Sequence, residues 1–137
     1  MSGEFIPLFM VWPKHFPENC PLEGSEPAEG EVYIFTAGDH VTSEDFLSRR
    51  ERNLGKPPYE DPYEECKACG LSISRSTGEI QKLRRKFRPL RRKKIARGML
   101  REEHGLIKKT EGPVDPHFTW WIKKETSPWK EFASCEV

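Results

Sequence analysis

Trp120 and Trp121 stand side by side in the stretch HFTWWIKK, residues 117–124. Neighbouring side chains of a strand point to opposite faces, so two adjacent indoles in a strand cannot enter one core. Phe118, Trp120 and Ile122 share a face and are expected to be core. His117, Thr119, Trp121 and Lys123 share the other. A tryptophan between a threonine and a lysine, with a histidine on the same face, needs either a second apolar layer above it or a cleft that it helps to form. In the second case Trp121 is a stacking surface, with His117 and Thr119 beside it as hydrogen-bonding groups.

The rest of the chain is cut into short pieces. Twelve prolines and ten glycines among 137 residues imply a loop-rich fold with short elements. Residues 1–30 are expected to form an N-terminal arm and a proline-rich loop packed on the core, with residues 31–137 as a single α+β domain. EVYIF (31–35) is a β-prone run. Thr42 is expected to cap a helix with Glu44 and Asp45 in its first turn and Arg49, Arg50 and Arg52 near its end. LGKPPYEDPYEE (54–65) reads as a loop. CGLSIS (69–74) reads as a strand. Ser76 and Glu79 have capping-box spacing, and Ile80, Leu83 and Phe87 form one buried stripe of the helix that follows. Pro89 is expected to end or kink that helix. RRKKIARGML, HGLIKKT and FASCEV suggest further strands. Short strands with two main helices favour a mainly antiparallel sheet.

Charge is unevenly spread. Residues 1–65 hold fourteen acidic and five basic residues, a net of −9, and residues 66–137 hold eight acidic and eighteen basic, a net of +10. Ten of the sixteen residues in KLRRKFRPLRRKKIAR (82–97) are Lys or Arg. Such clusters bind polyphosphate backbones by releasing counterions, and arginine grips phosphate oxygens in pairs. The residues expected to hold phosphates are Arg84, Arg85, Arg88, Arg91 and Arg92. The alternative is a solvated helix face paired with the acidic half of the chain.

Cys66 and Cys69, in CKACG, resemble one knuckle of a zinc ribbon. A structural zinc needs four ligands, so Cys20 and Cys135, or His104, would have to complete the set. Two ordinary cysteines at a strand entrance are the other reading, and no other cofactor is expected. No stretch is long and apolar enough to cross a membrane. FIPLFMVWP (5–13) is apolar but short, contains Pro7 and has no basic residue before it. It is therefore expected to dock on the core rather than to act as a secretory signal. A cytoplasmic protein with reduced thiols follows as the expectation.

The triplets HVT (40–42) and HFT (117–119) resemble the paired H-x-[S/T] motifs of 2H phosphoesterases. That resemblance implies cleavage of a phosphodiester, with His40 and His117 as the acid/base pair and Thr42 and Thr119 on phosphate oxygens. Across residues 31–137, VYIF, DFLSRRERN, CGLS, EHGLIKKT and HFTWW together resemble a group of small bacterial proteins for which no activity is established. This second resemblance implies one compact intracellular domain and no particular chemistry. Three functional readings follow. The first is a binding or accessory protein whose basic surface takes a nucleic acid or nucleotide. The second is a phosphodiester-cleaving enzyme. The third is an adaptor whose basic face meets an acidic protein.

Overall fold

The computed structural model describes residues 11–136. The apolar residues before Val11, expected to dock on the core, lie outside them. The fold is α+β. Among the described residues, seven strands form two antiparallel sheets: β1 (Glu26–Pro27), β2 (Gly30–Thr36), β3 (Leu71–Ile73), β4 (Lys94–Leu100), β5 (Gly105–Thr110), β6 (His117–Ile122) and β7 (Phe132–Cys135). The first sheet has the order β1-β5-β6-β3 and the second β2-β4-β7. Tyr33 and Ser74 exchange backbone hydrogen bonds of 2.8 and 3.0 Å, tying β2 to the chain just beyond β3 and so joining the sheets.

The main core lies between the two sheets. Val32, Ile34, Ala96, Leu100 and Phe132 enter it from one side and Ile73, Ile107 and Trp120 from the other, with Phe46 closing one end. Alternation along each strand sends the intervening residues outward. On the outer face of the β2-β4-β7 sheet, Tyr33 and Ile95 meet Ile80 of helix α3 (Thr77–Lys86). On the outer face of the other sheet, Trp121 meets Trp12, Cys20, Cys66 and Cys69. The molecule is therefore layered as arm and α2 (Pro62–Ala68), sheet, core, sheet and α3.

Two stretches differ from their sequence reading. The helix expected from Thr42 is broken into a 3-10 turn, Ser43–Phe46, and a single α turn, α1 (Arg49–Arg52). Ser48 interrupts it by capping α1: its hydroxyl accepts from the Glu51 amide and Glu51 returns a bond to the Ser48 amide. The second stretch, read as a loop over 54–65, ends in the first turn of α2. Asp61 caps it, accepting from Tyr63 N at 2.9 Å, and Pro62 occupies the first turn, where its missing N–H costs nothing.

Candidate functional site

The basic run wraps the C-terminal end of α3 and the 3-10 turn Arg88–Arg92 that follows. Phe87 ends α3 in extended geometry, and Pro89 lies in the first turn of the 3-10 segment that begins at Arg88. The last carbonyls of α3 carry the negative end of its dipole, and the cations gather there. Arg91 Nη2 donates to Arg85 O at 2.8 Å, and Arg84 Nη2 to Lys93 O at 3.1 Å. Arg84 is half-buried and serves this local packing. Arg85, Arg88, Arg91, Arg92 and Lys93 are exposed. Among the described residues the ion pairs engage one member of the run, Lys94, which lies 3.8 Å from Asp39. Among the described residues the acidic half of the chain does not neutralise this surface by ion pairing. Lys86 Nζ donates to Pro113 O at 2.7 Å, so the basic run reaches the loop that precedes β6.

The outer face of the first sheet is divided. Trp121 and Leu106 lie under the arm and α2, which cover one part of it. The other part is polar and carries Ser72, Thr110, Thr119 and His117. His117 Nδ1 lies 2.9 Å from Thr110 Oγ1, which lies 2.8 Å from Thr119 Oγ1. The opposite nitrogen, Nε2, lies 3.0 Å from Ser72 Oγ. Both threonines are buried, and Ser72 is exposed. Burial pushes the His117 pKa down, the Lys67 charge pushes it the same way, and a bond to the Thr110 backbone opposes them. Gly112 closes over the ring, and a Cβ there would overlap the imidazole. Beside this cluster lies a shallow depression of about 390 Å³ lined by Tyr63, Lys109, Thr110, Glu111, Gly112 and Asp115.

Several expected site residues are placed elsewhere than the sequence suggests. Trp121 is fully buried, its Nε1 donating to Cys66 O at 2.8 Å, and so has no face to offer a base. Trp120 is equally buried in the other core, donating to His104 O at 3.0 Å. The two indoles thus occupy separate interiors on opposite faces of β6. Thr119 is 2 % exposed and cannot reach a ligand. Cys66 is joined to Cys20 in a disulfide, so it is not half of a zinc knuckle, and the expectation of reduced thiols fails for this pair. Cys69 is a free thiol but buried, and burial pushes its pKa up to about 12. Among the described residues no group of three or more His, Cys, Asp and Glu is placed to hold a metal ion.

Of the two His-x-Thr triplets, only the second lies on a strand. His40 is exposed in the bends after β2, and Thr42 starts the Ser43–Phe46 turn, its amide donating to Asp45 Oδ2 at 2.9 Å. The groups bonded to the His117 ring are Ser72 and Thr110, not His40. His104, at the end of the 3-10 turn Glu102–His104, is 4 % exposed, and its Nδ1 accepts from the Arg101 amide at 2.9 Å.

Sequence reasoning missed Ser72 and Thr110. Each lies on a recognisable strand, but their meeting with His117 depends on which strands flank β6 and in what register. A second hollow, of about 310 Å³, lies against the main core and is walled in part by Phe16, Phe46, Trp120 and Trp129. No helix among the described residues is long and apolar enough to cross a membrane. No known protein family, curated protein or solved structure matches the chain.

Proposed function

We propose that the protein is an accessory protein that binds nucleic acid by its phosphate backbone, through Arg85, Arg88, Arg91 and Arg92. The observation that carries this reading is the exposure of these arginines on one helix end and turn, without carboxylate partners among the described residues. Cations packed this closely repel one another, and an extended polyanion relieves that repulsion while releasing its own counterions. Each exposed guanidinium can grip two phosphate oxygens, and Lys82 and Lys93 add unpaired charge beside them. Cations spread over a helix end and a turn suit an extended backbone better than a compact nucleotide. With Trp121 sealed inside, no stacking contribution comes from β6. The binding is therefore of the positioning kind, without base readout.

The test is fluorescence anisotropy with a short labelled duplex and the matching single strand, at about 0.15 M salt. The wild-type protein binds. Replacing Arg85, Arg88, Arg91 and Arg92 together by Ser weakens binding about 100-fold or more, because four phosphate contacts and their counterion release are lost. The thermal midpoint changes little, since these side chains are exposed. Equal affinity for the variant, or no wild-type binding at that salt, overturns the reading.

A further inference from the structure

The polar part of the first sheet's outer face contains an arrangement unrelated to the basic surface. Ser72, exposed on β3, lies 3.0 Å from the Nε2 of His117 on the adjacent strand β6. The other ring nitrogen, Nδ1, faces Thr110 Oγ1 at 2.9 Å. In the tautomer that donates the Nδ1 proton to Thr110 Oγ1, Nε2 keeps its lone pair toward the serine. Thr110 is fixed in turn by Thr119 at 2.8 Å, and both threonines are buried, so the imidazole is held from behind by buried hydroxyls. A serine, a base within hydrogen-bond reach and a third group orienting the base make up an activated nucleophile. We propose that Ser72 is the nucleophile, and His117 the general base, of an ester-hydrolysing site that takes small unhindered acyl esters.

As Ser72 Oγ bonds to the ester carbonyl carbon, its proton passes to His117 Nε2. Collapse of the tetrahedral adduct breaks the bond to the leaving alcohol, which takes that proton and departs, leaving acyl-Ser72. Water then attacks the acyl carbon, giving a proton to Nε2. The acyl–Oγ bond breaks and the proton returns to Ser72. One ester and one water become one acid and one alcohol. Thr110 is a positioning residue. The neighbouring depression beside Thr110 and Gly112 is open and shallow, which suits small acyl groups. Depression of the His117 pKa by burial keeps Nε2 able to accept a proton at neutral pH.

The experiment uses para-nitrophenyl acetate with the full chain. Wild-type protein releases nitrophenolate and gains one acetyl group, and peptide mapping places that group on Ser72. Ser72→Ala, an exposed site where folding is little affected, removes the adduct. His117→Gln slows acylation about 100-fold, the usual contribution of a positioned base. Should that variant not fold, Ser72→Cys supplies the second check, because its sulfur beside the same base is acetylated at position 72. Three results overturn the proposal: no acetylation of the wild type, an acetyl group on lysine alone, or undiminished labelling of Ser72→Ala. Loss of the arginine surface leaves the acylation rate unchanged, so failure here and failure of nucleic-acid binding are separate outcomes.

Discussion

Burial pushes the pKa of His15, His104 and His117 below the ordinary value of 6.5. Below that value the unfolded chain takes up protons that the folded chain resists. The unfolded state then binds more protons, and stability falls as pH falls from about 6.5 through the folded-state values. Urea midpoints are therefore expected to drop between about pH 7 and about pH 5, and His117→Gln is expected to reduce the drop. A midpoint that is flat or rises over that window contradicts the burial of these rings. The same scale holds the clearest success and failure of sequence reasoning. Strand alternation placed Phe118, Trp120 and Ile122 on the main core correctly. It also left Trp121 two environments, a cleft or a second apolar layer, and the structure selects the layer. That layer comes from Trp12, Cys20, Cys66 and Cys69, residues far away in the sequence whose approach no local pattern signals. Trp121→Ala is expected to cost about 3–5 kcal/mol in chemical denaturation, as for a large core aromatic. A cost near zero means that the indole is not sealed.

At the scale of elements, cap chemistry proved more informative than proline counts. Ser76 was readable as the start of α3, and its Oγ accepts from the Glu79 amide at 3.2 Å. Ser76→Ala is expected to lower stability by about 1 kcal/mol, measurable by thermal melting. No change means that the cap is not formed in solution. The same kind of signal was present at Ser48–Glu51 and at Asp61–Pro62, yet the long helix and the loop assigned there took precedence. In the first case charge order along the chain suited one continuous helix, although a capping box lay inside it. In the second, Pro62 counted against helix when it in fact occupies the first turn, where proline is favoured. Both elements bear on the layer over Trp121, because α2 and its C-cap contribute Cys66 and Cys69, and Arg50 of α1 is bound to α2. That arginine forms a buried pair with Glu65 of α2, with Nε 2.7 Å from Oε2, and holds the Glu65 carboxyl below its usual range.

For the whole molecule, the disulfide between Cys20 and Cys66 fastens the arm to α2 across 46 residues of chain. Closing a loop of that length in the unfolded state is worth about 4 kcal/mol in the chain-entropy picture. Reductant, or Cys20→Ser with Cys66→Ser, is expected to lower the urea midpoint accordingly and to expose Trp121 to fluorescence quenchers. An unchanged midpoint contradicts the pinning of the arm. Which of four cysteines pair is not written in their spacing, so this restraint lay beyond sequence reasoning. The charge split was fully legible, but whether the two halves cancel depends on placement. Among the described residues, ion pairs between the halves leave the basic turn unmatched: Lys94 meets Asp39, and Lys67 meets Glu64 three residues away within α2.

That unmatched surface is tested most directly by the slope of log affinity against log salt for duplex binding. With Arg85, Arg88, Arg91 and Arg92 each on a phosphate, the slope is expected to be about −4 for the wild type, at roughly −0.9 per contact. It should move toward zero when the four are replaced by Ser. A steep slope that the substitutions leave unchanged places the contact on another surface and contradicts the assignment.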